Sequence, residues 1–384
     1  MGFSYNNNDS VENVNILYVF NEGRDKRFNS KKSFPEDFFY FFNLLNKNYQ
    51  NTDYIEMNPL NKSLLSRFID LAEKFVRKFT DLPFYFSQLV TFKNLKKILK
   101  SKLIILTNET VGFSMLLILY ISKLIKSELK SIIFIMGFFN NLVNKNHNSK
   151  LKNLLLLKFI DIFDTFIFLG KKEYEYANIK FPEYSKKFFY IPFSIDLKFW
   201  INENNNLQLK ENILFIGNDK NRDFKTLNLI ANSLPDKNFL FVTNNESLSL
   251  PKNVKLINGS WRKELISDTE IKNLYTTSWL SIIPLKESLQ PSGQSVALQS
   301  MSMNVPVMIS FTKGFWDEDL FEDEKNIYFI KNGVEEWVSK INNLEKSKNR
   351  NLIVKNAYQT VENNFDINKN FDLFDQLVEK VLRQ

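Results

Sequence analysis

Two glycine turns in the second half of the chain carry the side chains best suited to bind a phosphate. The first turn follows the apolar run Asn212–Ile216 and begins with Gly217, where the missing side chain lets a phosphate approach the backbone. Cations follow at Lys220, Arg222 and Lys225. Because a diphosphate needs N–H groups and positive charge, this spacing predicts an anion-binding loop. A tight turn with solvated cations would give the same pattern.

The second turn is Ser292-Gly293-Gln294-Ser295, which precedes an amphipathic helical pattern that runs to Met303. Small residues expose the N–H groups at the start of such a helix, and the hydroxyls and the Gln294 amide add further donors. A helix N-cap alone would explain Ser292 or Ser295 equally well. The turn is therefore a second candidate for an anion site.

Short apolar runs alternate with longer helical patterns along the whole chain, which predicts parallel sheets of the doubly wound type. Ligands of such sheets bind at the carboxyl ends of the strands. The predicted strands are 15–20, 53–57, 103–107, 132–136, 165–169 and 188–192 in the first half, and 212–216, 239–243, 254–257, 279–284, 306–310 and 327–330 in the second. Pro35 at a first-turn position predicts an aromatic-rich helix through about Leu45.

The strand–helix alternation stops at Phe193–Trp200 and the polar tract Asn202–Asn206, and then begins again. This interruption predicts two α/β domains of similar design. The predicted division is residues 1–192, residues 193–365 and a C-terminal helix over residues 366–384.

Composition excludes several kinds of site. The chain has 384 residues, no cysteine and one histidine, His147, which lies in a polar run that favours a solvated loop over a catalytic base. A thiolate or histidine-rich metal site is excluded. The first dozen residues are polar and predict no signal peptide, and Asn108 and Glu109 interrupt the apolar stretch Leu103–Ile125, which argues against a membrane span. The expectation is a soluble, cytoplasmic protein.

The net charge is +8, and its densest basic stretch is Lys93–Lys102. Phe92, Leu95, Ile98 and Leu99 fall at helical spacing there, which places the lysines on the opposite face. The pattern predicts either a solvated surface helix or a face for an anionic membrane or a lipid-phosphate-linked acceptor. Nucleic acid is not favoured as a partner, because no nucleic-acid-binding motif accompanies the charge.

The residues after the second turn carry a family resemblance. Leu298–Ser310, with the sequence LQSMSMNVPVMIS, resembles the L-E-A-M-A-x-G-x-P-V-I-x-S signature of retaining GT-B glycosyltransferases of family 4. Phe193–Phe199 resembles the interdomain linker of that family, and Ile213–Leu227 resembles its first strand and basic phosphate loop. Asp319–Phe329 resembles the stretch after the signature. The likeness runs in order from about residue 165 to residue 365.

This resemblance implies two Rossmann-like domains that face each other across a cleft, with the C-terminal helix crossing back to the first domain. It implies a donor site in the second domain, where loop cations and a helix N-terminus hold the donor diphosphate. The implied catalytic residues are Arg222, Lys225 and Gln299. The implied donor-binding residues are Gly217, Asn218, Asp219, Arg222, Thr243, Asn244, Trp261, Arg262, Lys286, Ser292, Gly293, Gln294, Ser295 and Gln299.

The chain departs from the family pattern at two glutamates that are separated by seven residues. Pro291 stands at the first position and Gln299 at the second. The Gln299 amide could still contact a ribose, and Glu287 is the nearest substitute for the missing acid. The histidine of the family's first domain has no counterpart in Ile135–Phe138.

The resemblance implies that the protein transfers a sugar from a nucleotide-sugar donor to a glycan or lipid-linked acceptor and retains the anomeric configuration of the sugar. It also implies a role in the synthesis of bacterial envelope polysaccharides. Neither a metal nor a cofactor is expected, because cations would take the place of a divalent ion at the diphosphate. Two alternatives remain: an inactive GT-B module that binds a nucleotide or glycan, and a sugar-nucleotide epimerase.

Overall fold

The structure of the protein is a computed structural model. The residues that it describes are 14–30, 32–59, 64–138, 150–202, 210–245, 249–260, 263 and 265–384.

Six apolar runs in the first half of the chain form one sheet. They are β1 (Ile16–Phe20), β2 (Thr52–Glu56), β3 (Leu103–Leu106), β4 (Lys130–Ile135), β5 (Thr165–Phe168) and β6 (Phe188–Tyr190). Their order is β2-β1-β3-β4-β5-β6, and all neighbouring strands are parallel.

The second half repeats this design. Its strands are β7 (Asn212–Ile216), β8 (Asn238–Thr243), β9 (Val254–Asn258), β10 (Ser278–Ile283), β11 (Val307–Ser310) and β12 (Tyr328–Ile330). Their order is β12-β11-β10-β7-β8-β9, again parallel throughout. Every strand that the sequence predicts is present, with ends that differ by at most two residues, and the prediction of two doubly wound α/β halves is confirmed.

Helices connect the strands, as parallel pairing requires. The helices of the first half are α1 (Arg24–Phe28), α2 (Phe42–Asn48), α3 (Leu64–Thr80), α4 (Phe92–Lys100), α5 (Glu109–Ile125), α6 (Lys150–Ile162) and α7 (Lys171–Lys180). Those of the second half are α8 (Phe224–Ser233), α9 (Asp268–Thr276), α10 (Gln294–Ser302), α11 (Val334–Lys346), α12 (Arg350–Asn364) and α13 (Ile367–Leu382). Among the described helices, none is long and apolar enough to cross a membrane.

Central strands such as β1 and β10 are buried along their whole length, because helices cover both faces of each sheet. One apolar core spans both halves and contains Tyr18, Phe134 and Ile283. Two further cores each lie within one half. The shared core joins the two sheets into one packed body.

Helix α13 crosses back to the first half, as the resemblance implies. Phe374 is fully buried there, with its ring centroid 4.9 Å from that of Phe41 and 5.6 Å from that of Phe134. At the surface, Asn48 Nδ2 donates to Asp375 Oδ2 at 2.8 Å. The expected crossing helix is confirmed.

The helix predicted from Pro35 to Leu45 is wrong in its middle. A 3-10 turn covers Asp37–Phe39, and helix α2 begins only at Phe42, because Tyr40 and Phe41 adopt left-handed φ angles of 49° and 66°. Their rings pack on Phe134 and, for Phe41, also on Phe374. Tertiary packing of the two aromatic rings therefore overrides the local helical preference.

Helix α4 forms where the basic stretch predicts it. Ile98 is buried, and Lys93, Lys96 and Lys100 are exposed. Lys97 is held by the Asp53 carboxylate, with Nζ 2.7 Å from Oδ2. Contact of this helix with lipid stays a prediction.

Candidate functional site

The two glycine turns lie side by side at the carboxyl end of the second sheet. The loop that begins at Gly217 follows β7, and the loop that leads to the second turn follows β10, which is the neighbour of β7. Arg222 and Leu285 form an antiparallel bridge between the loops. Asn221 Nδ2 donates to Ser292 Oγ at 2.7 Å. The fold therefore brings together the two loops that the sequence predicts as anion sites.

Arg222 is the buried cation of this site, with only 4% of its surface exposed. Its Nε lies 3.0 Å from Asp219 Oδ2, but the N–H is not directed at that oxygen, so the contact is an ion pair without a hydrogen bond. Among the described residues, neither Nε nor Nη1 has a hydrogen-bond partner. Because a buried N–H without an acceptor is costly, this guanidinium is suited to receive an anion.

Gly293 places the start of helix α10 against Arg222. Its φ is +80°, and a Cβ atom there would lie 3.0 Å from Arg222 Nη1 and 2.7 Å from Ile283 Cγ2. No side chain caps α10 at this glycine. The first N–H groups of a helix have no partner within the helix, so they and the guanidinium form one positive end.

Asn218 links the ends of three strands beside this positive end. Its Oδ1 accepts hydrogen bonds from Thr243 Oγ1 at 2.9 Å and from the Asn244 N–H at 2.6 Å. Its Nδ2 donates to the Gly259 carbonyl at 2.8 Å. The side chain therefore holds β7, β8 and β9 in place.

A cavity of about 150 Å³ opens between these strand ends and helix α10. Ligand pockets for molecules of drug size span about 300–1,000 Å³, so this cavity is smaller than such a pocket. Its walls are both apolar and polar. Its lining includes Phe38, Trp200, Asn218, Gly259, Ser295 and Gln299.

Gln299 connects this cavity to the first half of the chain. Its Nε2 donates to Asp37 Oδ2 at 2.9 Å, and its Oε1 accepts from the Tyr275 hydroxyl at 3.3 Å. Asp37 Oδ2 also accepts from Trp200 Nε1 at 2.6 Å, and Oδ1 accepts from the Asp196 N–H at 2.6 Å. The Gln299 amide is thus held in a buried network.

Asp37 is 2% exposed, and burial raises the pKa of its carboxyl group to about 7. The hydrogen bonds from Gln299, Asp196 and Trp200 oppose that rise because they stabilise the charged form. The carboxyl group therefore titrates near neutral pH.

The loop before α10 closes against the first half of the chain. A Cβ atom on Gly137 would lie 2.8 Å from Gln290 Cδ, and one on Gly170 would lie 3.0 Å from Pro291 Cβ. The Gln294 amide donates to the Leu169 carbonyl at 2.9 Å. The contacts leave little room between the two sheets at this point.

The comparisons with known proteins agree with this architecture. No protein-family model and no curated protein sequence matches the chain. Among solved structures, HepE of Anabaena in complex with UDP has a TM-score of 0.61 at 13% identity, over 96% of this chain and 100% of that chain. Sucrose-phosphate synthase of Thermosynechococcus elongatus has a TM-score of 0.64 at 12% identity, over 96% and 99%.

The fold is GT-B. A glycosyltransferase of Rickettsia africae is a further structural neighbour, with a TM-score of 0.58 at 13% identity, over 97% of this chain and 99% of that chain. The neighbours of this GT-B chain are glycosyltransferases, and HepE has been solved with UDP-glucose.

The GT-B fold gathers most of the residues that the sequence selects. Lys225 is exposed on α8, whereas Arg222 is buried. Lys286 is also exposed, and its Nζ donates to the Lys220 carbonyl at 3.3 Å. Trp261, Arg262 and His147 lie outside the described residues. The residues that lie around the cavity and the positive end are Gly217, Asn218, Asp219, Arg222, Thr243, Asn244, Ser292, Gly293, Ser295 and Gln299.

The acidic residues Glu287, Asp317 and Asp319 near the site bind groups of the protein itself. Glu287, the nearest substitute for the missing acid, accepts the N–H groups of Ser288 and Lys313. Asp317 and Asp319 have Asp-x-Asp spacing, but Asp317 accepts from Tyr190 and Asp319 pairs with Lys171. No cluster of three potential metal ligands occurs in the described part of the chain.

Sequence reasoning missed Asp37 and Trp200. Asp37 belongs to the segment whose helix prediction is wrong, and Trp200 lies in the linker. An acidic residue such as Asp37 shortly after Pro35 is an ordinary signal for the start of a helix, so nothing in the local sequence marks Asp37 as a partner of Gln299.

Proposed function

We propose that this chain is a retaining, metal-independent glycosyltransferase related to family 4. Its donor is a nucleotide-diphosphate sugar, and its acceptor is a glycan or a lipid-linked glycan. The proposal includes the division at residues 192 and 365, a cytoplasmic location, a bacterial origin and a role in envelope polysaccharide synthesis. The observation that carries it is the buried Arg222 guanidinium, with its unmet donors, beside the start of α10.

The donor would place its diphosphate at the positive end formed by Arg222 and the first N–H groups of α10. Its nucleoside would enter the cavity between Asn218 and Gln299. When the bond between the anomeric carbon and the phosphate oxygen breaks, negative charge accumulates on the diphosphate. Preorganised donors stabilise that charge without a metal ion. Binding of both substrates in the cleft supplies the proximity that transfer requires.

The loop before α10, which contains Gln290 and Pro291, would have to move away from the first half of the chain before a donor can bind. Gln290 and Pro291 occupy the space next to Gly137 and Gly170, and the whole cavity is smaller than a nucleotide sugar. We infer that the donor binds when the two halves separate at this loop, as in enzymes that close on their substrates.

A binding module without turnover is the second candidate function. It is favoured by the Gln299 amide, which is already bound to Asp37, and by Pro291, which offers no carboxylate to a sugar. In such a module the donor would bind and remain intact. An epimerase would convert the donor to an isomer.

One experiment separates these functions. The protein is screened by thermal shift against UDP-, GDP-, ADP- and CMP-sugars, because a ligand that binds only the folded state raises the melting temperature. The donor that binds is then incubated with the protein, and the released nucleotide and the sugar products are measured. Release of nucleoside diphosphate, or of CMP from a CMP-sugar, supports transfer or hydrolysis. An intact donor supports the binding module, and a sugar isomer supports the epimerase. No shift with any donor would contradict the transferase, the epimerase and a module that binds a nucleotide, and it would leave only a module that binds a glycan.

A further inference from the structure

We propose that helices α3, α5 and α6 form a surface that binds anionic lipid membranes. This surface is separate from the lysine face of α4, and the proposal does not depend on the enzymatic activity. We call it the α3–α5–α6 face.

Helix α5 is apolar on both of its sides. Its inner side packs in the core of the first half, with Phe113, Met115 and Leu119 fully buried. Its outer side exposes Leu124 at 71% and Ile125 at 70%. An ordinary surface helix has polar residues on its outer side, so this pattern requires another explanation. The remaining exposed apolar residues of α5 are Leu117, Tyr120 and Ile121.

The two neighbouring helices expose apolar residues as well. Helix α6 packs against both α3 and α5. On α3, Phe75 and Phe79 are 58% and 48% exposed, and their ring centroids are 4.3 Å apart. These three helices carry more than half of the large exposed apolar side chains among the described residues. The others on the face are Leu71 of α3 and Leu151, Leu154 and Leu157 of α6.

The same part of the chain holds the positive charge. The three helices of the face together contain eight Lys and Arg against four Asp and Glu. On the helices of the face, Lys78 and Lys150 are exposed. Lys74 and Lys158 are exposed at 62% and 56%, and they pair with Asp70 and Asp161 of the same helices. The apolar side chains are therefore accompanied by lysines.

An anionic bilayer matches both features of the α3–α5–α6 face. Apolar side chains insert at the boundary between headgroups and acyl chains, and lysines bind the acidic headgroups. A second copy of the chain matches less well, because two faces of the same positive charge would repel each other. Large exposed apolar patches on single proteins mark such interaction surfaces.

The test is flotation of the full chain with vesicles of phosphatidylcholine alone or of phosphatidylcholine with phosphatidylglycerol. We expect binding to the mixed vesicles that weakens as salt rises, and little binding to the neutral ones. Leu124→Ser with Ile125→Ser should weaken binding about tenfold or more, since the change removes exposed apolar area that the bilayer would bury. Lys78→Gln with Lys150→Gln should also weaken it and reduce its dependence on salt.

A matched control variant tests whether the α3–α5–α6 face itself is responsible for binding. Leu229→Ser with Leu352→Ser removes apolar residues that are 44% and 58% exposed in the second half, and it should leave binding unchanged. Equal melting temperatures would show that all variants are folded. Donor hydrolysis without vesicles separates failure of this proposal from failure of the proposed function.

Three results would overturn the proposal. The first is wild-type binding by the Leu124→Ser and Ile125→Ser variant. The second is loss of binding only when Lys93, Lys96 and Lys100 of α4 are replaced by glutamine. The third is a dimer in light scattering that the Leu124→Ser and Ile125→Ser variant converts to a monomer, since a second copy would then cover the face.

Discussion

Gln299 Nε2 donates a hydrogen bond to Asp37 Oδ2 at 2.9 Å, which joins residues 262 positions apart in the chain. Gln299 stands where the signature that Leu298–Ser310 resembles has a glutamate. A glutamate there would face the Asp37 carboxyl group, whereas the glutamine amide satisfies it. The amide at 299 and the buried acid at 37 are thus one paired feature.

Asp37→Asn should change how stability depends on pH. Burial raises the pKa of Asp37 from 3.8 to about 7, so the folded state holds a proton that the unfolded state has lost over this range. Stability from this group therefore falls as pH rises from about 4 to 7, and asparagine abolishes that fall. In urea unfolding, the free energy of unfolding of the variant minus that of the wild type should rise by up to about 4 kcal/mol across that range. A difference that does not vary with pH would contradict this assignment.

Gln299→Glu should destabilise the protein above neutral pH, because it removes the amide donor and places a second carboxylate against Asp37. We expect a loss of about 3–5 kcal/mol, as for a buried charge without a partner. The double variant Asp37→Asn with Gln299→Glu exchanges donor and acceptor and should recover most of that loss. Chemical unfolding of the single and double variants measures the coupling, and additive effects would show that the two residues do not interact.

Arg222→Ala should weaken nucleotide binding by about 1.5–3 kcal/mol, the range for a hydrogen bond to a charged group. Arg222→Lys should recover only part of the loss, since lysine cannot bind two phosphate oxygens as a fork. Lys225→Ala removes an exposed cation from the first turn of α8, three residues further along, and should have a smaller effect. Calorimetric titration with the donor nucleotide measures all three, and normal affinity of Arg222→Ala would refute the placement of the diphosphate.

Gly293→Ala should lower both stability and donor binding. The residue has a φ of +80°, and its Cβ atom would crowd Ile283 and Arg222. A strained φ of this kind costs about 1–3 kcal/mol. Gly333→Ala at the start of α11 is the control, because its Cβ atom would meet only the flexible end of Glu335. Thermal unfolding with and without nucleotide tests the pair, and equal behaviour of the two variants would argue against a special role for Gly293. Gly293→Val should abolish transfer by the same crowding.

Phe374→Ala should destabilise the protein by about 3–5 kcal/mol, the usual cost of a buried Phe→Ala change. The residue is fully buried between Phe41 and Phe134, and it joins α13 to the first half. Leu373 is its neighbour on the same helix and is 52% exposed, so Leu373→Ala should cost less than about 0.5 kcal/mol. Urea unfolding compares the two variants. Similar values for both would mean that α13 contributes little by packing there.

The sequence by itself determined which segments form strands and that the sheets are parallel, because apolar runs and their alternation with helices are local signals that do not depend on distant partners. It also selected the two loops of the candidate site, since Gly217, Arg222 and Gly293 lie next to predicted strand or helix ends. At Tyr40 and Phe41, however, aromatic packing breaks a helix that the local pattern favours.

Only the tertiary structure decided which of these residues meet. Arg222 and Lys225 are cations only three residues apart, but the fold buries the first beside Gly293 and exposes the second on α8. The pairing of Asp37 with Gln299 depends on the closure of two separate sheets on a common core. Burial and hydrogen-bond geometry depend on residues far apart in the chain, so neither can be predicted from periodicity and spacing.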